Sequence, residues 1–236
     1  MNETMIFGNE LPKRALRKAD RSLKSMARRF SFDPAVYPRL SAEPMPGAYE
    51  AFGVMKLEEA KPGATVVPPD PGKGIALGTI RMGFGHYRIG LAIASAARSM
   101  GLTPYWLDLM SFPDSAASKT IKYLEDLYNL GSRLSQRSRL FDRYVWDRIT
   151  SSAARRLSYT ARDRALSTLF EPILRDLPKD MPFMSTHPWT GQAAVRAGMK
   201  GVVALIPDNY PLAFHLVEGA VHTVQAPSLY MGYRTL

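Results

Sequence analysis

Cysteine is absent from this sequence, which excludes a disulfide framework and any thiolate metal site and makes a cytoplasmic setting the simplest expectation. No run of about 18 apolar residues occurs, and the basic N-terminus lacks a following apolar stretch, so neither a spanning helix nor a secretory signal is expected. Contact with a membrane would then be peripheral, on its inner face. A P-loop is missing, because Gly72-Lys73-Gly74 lacks the Lys-Ser or Lys-Thr ending, and no G-x-S-x-G nucleophile elbow is present. His215 and His222 stand seven residues apart without a matched third ligand, so no metal site is expected.

What remains is a chain of 236 residues, 46% of them hydrophobic, enough for one large domain or one domain with an appendage. Its net charge of +10 suits polyanionic partners: nucleic acid, anionic lipid headgroups or phosphorylated substrates. Residues 1–73 read as a basic helical and Pro-rich N-terminal extension. Within it Lys13, Arg14, Arg17, Lys18 and Arg21 alternate with Leu11, Leu16, Leu23, Met26 and Phe30 at helical spacing. Such a helix can lie in a membrane interface with those five cations on anionic headgroups; the same pattern also fits a solvated or loosely docked helix. Prolines between Pro34 and Pro71 predict an irregular leader.

From Gly74 the pattern changes. Gly74–Ile80 predicts a buried strand, Arg81-Met82-Gly83-Phe84-Gly85 a tight turn, and His86–Met100 a helix stopped by Gly101, with Ile89, Ile93 and Ala97 on one face and Ala92 and Ala96 beside them. Thr103–Leu109 predicts the next parallel strand. Ser115–Leu174 reads as helical, with Leu124, Leu127, Leu130 and Leu134 as a buried stripe and many arginines thereafter. Further strands are expected over 181–186, 201–206 and 220–226, with a short helix over 191–197. This alternation predicts an α/β fold: an open, doubly wound, mostly parallel, Rossmann-like sheet over residues 74–236.

In such sheets ligands bind beyond the carboxyl ends of the strands, and all four histidines fall at or near predicted strand ends. Gly83 and Gly85 would let backbone amides approach a ligand at a helix N-terminus, with Phe84 between them. His86, at the mouth of that turn, suits a general base toward a hydroxyl, or a helix cap. Thr186-His187-Pro188 and Pro207-Asp208-Asn209 bring polar groups to the same edge. They are candidate substrate-binding residues, and also ordinary turn formers.

Gly78 to His86, Ser185-Thr186-His187-Pro188 and Ile206-Pro207-Asp208 resemble successive landmarks of GT-B glycosyltransferases. The likeness is greatest to the monogalactosyldiacylglycerol synthase group, with the peptidoglycan N-acetylglucosaminyltransferase more distant. It runs from about Gly74 to Tyr230, and Ala226-Pro227-Ser228 looks like the family's last strand and serine before its second domain. The resemblance implies the acceptor-binding half of a hexosyltransferase, with His86 as base and His187 and Asp208 lining the cleft. The donor would be a nucleotide sugar, expected to be a UDP-sugar, and the acceptor a lipid or membrane-proximal hydroxyl; no other cofactor is implied. The turn departs from the family in carrying Arg81, Met82 and Phe84 where glycine is usual. The C-terminal donor domain is absent from these residues, so the chain alone is expected to be inactive unless a separate chain supplies that half.

Two other functions fit the sequence. One is a non-catalytic module for membrane or polyanion; Tyr123, Tyr128, Phe141, Tyr144, Trp146 and Tyr159 lie among the arginines as base-stacking residues would, but no nucleic-acid motif accompanies them. The other is half of a sugar-nucleotide epimerase, which shares the GT-B fold and also needs two domains.

Overall fold

A computed structural model describes residues 3–82 and 84–235. The chain opens with a small hairpin, β1 (Met5–Ile6) and β2 (Asn9–Glu10), and helix α1 (Lys13–Arg29). It continues through β3 (Leu40–Pro44), β4 (Met55–Glu59), β5 (Gly74–Thr79), α2 (Phe84–Ser99) and β6 (Thr103–Asp108). A helical region follows: α3 (Ala116–Arg137), α4 (Arg139–Phe141), two π-helical stretches (Asp142–Trp146 and Arg148–Ser152) and α5 (Leu157–Phe170). The last elements are β7 (Phe183–Ser185), α6 (Pro188–Arg196), β8 (Val202–Leu205), β9 (Val221–Thr223) and α7 (Pro227–Arg234).

Among the described residues the main sheet has seven strands in the order β3-β4-β6-β5-β7-β8-β9. Only β3 runs antiparallel, against β4; every other neighbouring pair is parallel. Strands covered on both faces read as unbroken apolar runs, which is why β5 (buried Ala76 and Leu77) and β6 (buried Tyr105, Trp106 and Leu107) were legible. The core gathers strand residues with Phe170, Ile173 and Leu174 from the end of α5 and the turn after it. The chain leaves β5 for β6 on one side and returns to β7 on the other, so the strand order reverses at the β5–β7 pair, where an open α/β sheet forms a crevice.

Three expectations are corrected. Residues 34–71 are not an irregular leader, because β3 and β4 lie in the main sheet and Leu40, Ala42 and Leu57 sit in its core. The division at 73/74 therefore falls inside one sheet. The apolar side of α1 is not free to enter a bilayer, since Leu16 packs with Leu157 and Ala161 of α5, and Leu23 and Met26 pack on the main core. Lys13, Arg14, Arg17, Lys18 and Arg21 do remain exposed.

The leucine stripe of α3 is only partly buried. Leu124 touches the core, but Leu127, Leu130 and Leu134 are 46%, 49% and 41% exposed. Twenty-two residues of helix reach about 33 Å, further than the six-residue strands beneath, so the second half of α3 extends past the core. There it is met by the π-helical return, whose Trp146 packs on Gly131 and Tyr128.

Smaller differences follow the same logic. The buried side of α2 is Gly90, Ala94 and Ala97, while Ala92 and Ala96 face solvent, because Gly90 accommodates the Trp106 ring of β6. Gly101 does end that helix, at φ 76°, with Leu102 N–H donating to the Ala97 carbonyl. Pro227 and Ser228 open α7 rather than close a strand.

Candidate functional site at the reversal of strand order

At the carboxyl end of the β5–β7 pair one carbonyl gathers the residues that follow β7. Gly78 O accepts the Thr186 N–H at 2.9 Å and the hydroxyls of Thr186 at 3.2 Å and Thr190 at 3.3 Å. This brings Thr186-His187, just past β7, against the start of α2. His86, near the start of α2, then places Nδ1 2.7 Å from the Thr186 carbonyl. A carbonyl can only accept, so Nδ1 carries the proton and Nε2 keeps its lone pair. Burial pushes the His86 pKa below its ordinary value, partly opposed by that hydrogen bond and by Asp208. Near neutral pH the ring is thus an uncharged acceptor.

His187 is 6% exposed. Its Nδ1 accepts the Trp189 N–H at 3.2 Å and so caps α6, with Pro188, buried, at the first helical position. The capping role leaves Nε2 to carry the proton. Desolvation, with His86 and His215 nearby, holds the His187 pKa well below the ordinary value. Its ring stands edge-on to His86 with centroids 5.0 Å apart. One neutral imidazole with a free lone pair therefore lies beside another with a free N–H, a pairing suited to a hydroxyl that both donates and accepts.

Asp208 completes the group. Its Oδ2 lies 2.9 Å from His215 Nε2, and His215 Nδ1 lies 2.9 Å from the Tyr233 hydroxyl. The carboxylate accepts from Nε2–H, so Tyr233 donates to Nδ1. Desolvation lowers the His215 pKa, and Asp208 works against it. Residues 86, 187 and 208 are thus gathered on one rim, together with His215 and Tyr233, which sequence reasoning did not select. Phe214 links them, its ring 5.6 Å from that of His187 and 5.5 Å from that of His215.

The remaining candidates divide. Phe84 is 81% exposed at the first turn of α2, an apolar ring standing in solvent at the site's mouth. Gly85 is exposed, with nothing within 4 Å of where a Cβ would stand, so the fold itself leaves room for a side chain there. Asn209 is exposed beside Asp208. Gly83 lies outside the described residues. His222 belongs elsewhere: it sits within β9, and Nε2 accepts the Val217 N–H at 2.8 Å.

Two supports were missed in the sequence. Asp108, at the end of β6, accepts from Tyr87 of α2 and from Arg81 in the loop after β5, so it braces that loop and helix on the other flank of the crevice. Desolvation and Asp108 push the Tyr87 pKa up. Behind His187, the Trp189 indole donates to buried Asp163 at 2.9 Å. Burial pushes the Asp163 pKa up to about 6. Asp108 follows the same strand-end rule that identified Asp208, and that signal was available.

The profile of a family described as "Domain of unknown function (DUF6937)" matches residues 5–235. The chain belongs to that family. No curated protein matches, and no solved structure does. The family's domain runs from the first hairpin to the end of α7, so it takes in α1, β3 and β4 together with the rim around His86. No cluster of three or more metal-ligating side chains occurs among the described residues.

Proposed function

We propose that this chain is the acceptor-binding side of a GT-B-like glycosyltransferase, in which His86 accepts the proton of an attacking hydroxyl. The observation that carries this reading is the His86 Nδ1 to Thr186 carbonyl hydrogen bond, which fixes the tautomer with a bare Nε2 at the crevice. In the reaction, the acceptor oxygen forms a bond to the sugar's anomeric carbon as the bond to the nucleotide diphosphate breaks, and the hydroxyl proton passes to Nε2. His187 Nε2–H would orient the same oxygen. Asp208, near both His86 and His215, would favour the imidazolium that forms. The nucleotide sugar, a UDP-sugar, would be held by a donor-binding domain or partner chain.

The acceptor would be lipid or membrane-proximal. No helix among the described residues is long and apolar enough to cross a membrane. Support for surface contact comes from the projecting end of α3 and its π-helical return. Leu127, Leu130, Leu134, Leu140 and Ile149 are exposed there among Arg133, Arg137, Arg139, Arg143 and Arg148. Apolar side chains mixed with arginine suit an anionic bilayer interface. This ridge takes the inserting role that the docked α1 does not.

The test compares extracts of native cells, with the chain present or deleted, incubated with a panel of radiolabelled UDP-hexoses. Label is expected to enter the lipid fraction only when the chain is present. Equal lipid labelling in both extracts for every donor would overturn the reading.

A further inference from the structure

A second feature lies between α1 and α5, and it stands independently of the transferase reading. Positions 14, 18, 21, 22 and 25 fall on one face of α1. With Arg162 of α5 they line a depression of about 480 Å³. A second depression of about 450 Å³ shares Arg14, Lys18 and Arg162 and adds Arg156. Two adjoining hollows therefore share three cations, and each adds one more.

Among the described residues no salt bridge neutralises these charges. None of Arg14, Lys18, Arg21, Arg156 and Arg162 makes an ion pair among the described residues, whereas Lys24 on the neighbouring face of α1 pairs with Asp20 at 2.9 Å. The Nε of Arg162 is buried without a hydrogen-bond partner. Its neighbour in sequence, Asp163, accepts from the Trp189 indole and acts on Arg162 only through space, without a hydrogen bond to it. A desolvated guanidinium donor without an acceptor is unfavourable, and so is a cluster of unpaired cations around a concave surface; one anion with several oxygens relieves both. Serine hydroxyls at 22 and 25 add neutral donors.

We propose that the α1–α5 groove is a binding site for a phosphate group, with Arg14, Lys18, Arg21 and Arg162 as its ligands. A tetrahedral, multiply charged oxyanion matches the groove, because Arg supplies forked donors and Lys a point charge from several directions. The phosphate is carried either by a soluble phosphoester or by a lipid headgroup at the membrane surface.

The experiment measures binding of pyrophosphate by calorimetry at 150 mM salt, and of phosphatidylcholine vesicles with and without phosphatidic acid by sedimentation. Lys18→Gln with Arg21→Gln, both at exposed positions, is expected to weaken binding about tenfold or more. Lys61→Gln with Lys73→Gln removes the same charge from exposed positions elsewhere and is expected to change it less than about twofold. Pyrophosphate binding lost in the groove variant identifies a soluble phosphoester; loss confined to the phosphatidic acid vesicles identifies a headgroup. Equal weakening by both variant pairs, or no saturable binding of either probe, would overturn the site.

Discussion

Replacing His86 by glutamine is expected to lower sugar transfer about 10²- to 10⁴-fold, the range contributed by a positioned general base. The variant would be introduced into cells lacking the native chain and compared in the labelled-donor assay. Glutamine preserves polarity and roughly the size of the ring but cannot take up the hydroxyl proton at neutral pH. The wild-type rate is expected to fall as pH drops through the lowered His86 pKa, because protonation removes the Nε2 lone pair. The residual rate of the glutamine variant is expected to lose that limb of the profile. A variant as fast as wild type would leave His86 with only its link to Thr186.

Gly78→Ala is expected to destabilise the fold by about 2–3 kcal/mol, the cost of overpacking a closed core position. A Cβ there would sit 2.4 Å from Phe183 Cζ and 3.0 Å from Thr190 Cβ. Phe183 and Thr190 are both buried, and Thr190 is tied to Ser185 and His187, so neither can move aside freely. In thermal unfolding this corresponds to a fall of about 4–12 °C for a chain of this size. Gly85→Ala, where the space is open, is expected to leave the midpoint within about 2 °C, since helix propensity favours alanine. Similar midpoints for the two variants would show that the close approach of β5 to α6 is not a constraint on the fold.

The parts of the fold visible in the sequence were those whose local pattern survives tertiary structure. Parallel strands buried on both sides, such as Ile75-Ala76-Leu77 and Tyr105-Trp106-Leu107, announce themselves as apolar runs, and Gly101 marks a helix end through a conformation few other residues adopt. β3 and β4 gave no such signal. The Leu-Ser-Ala-Glu-Pro of β3 ends in proline, tolerable on an edge strand, and β4 alternates Met55 and Leu57 with Lys56 and Glu58 before ending in Glu59. An ion pair of Lys56 with Glu58 makes that segment look like surface even though Leu57 is buried.

The site divides along the same line. His187 and Asp208 lie just past strand ends and His86 in the first turn of the helix after β5, so a topological rule was enough to find them. His215 and Tyr233 come from a 3₁₀ turn and from α7, and only the packing of those segments brings them to Asp208. The exposed end of α3 was misjudged because helical spacing records which residues share a face, not whether anything covers it.

The claim on which the rest depends is that His86 presents an uncharged ring with its lone pair on Nε2, fixed by the Thr186 carbonyl. Nitrogen-15 NMR of the histidine-labelled protein, titrated across pH 5 to 8 with His86→Gln for assignment, measures this directly. His86 is predicted to carry its proton on Nδ1 at pH 7 and to titrate below 6.5. A proton found on Nε2, or a titration above 6.5, would contradict it.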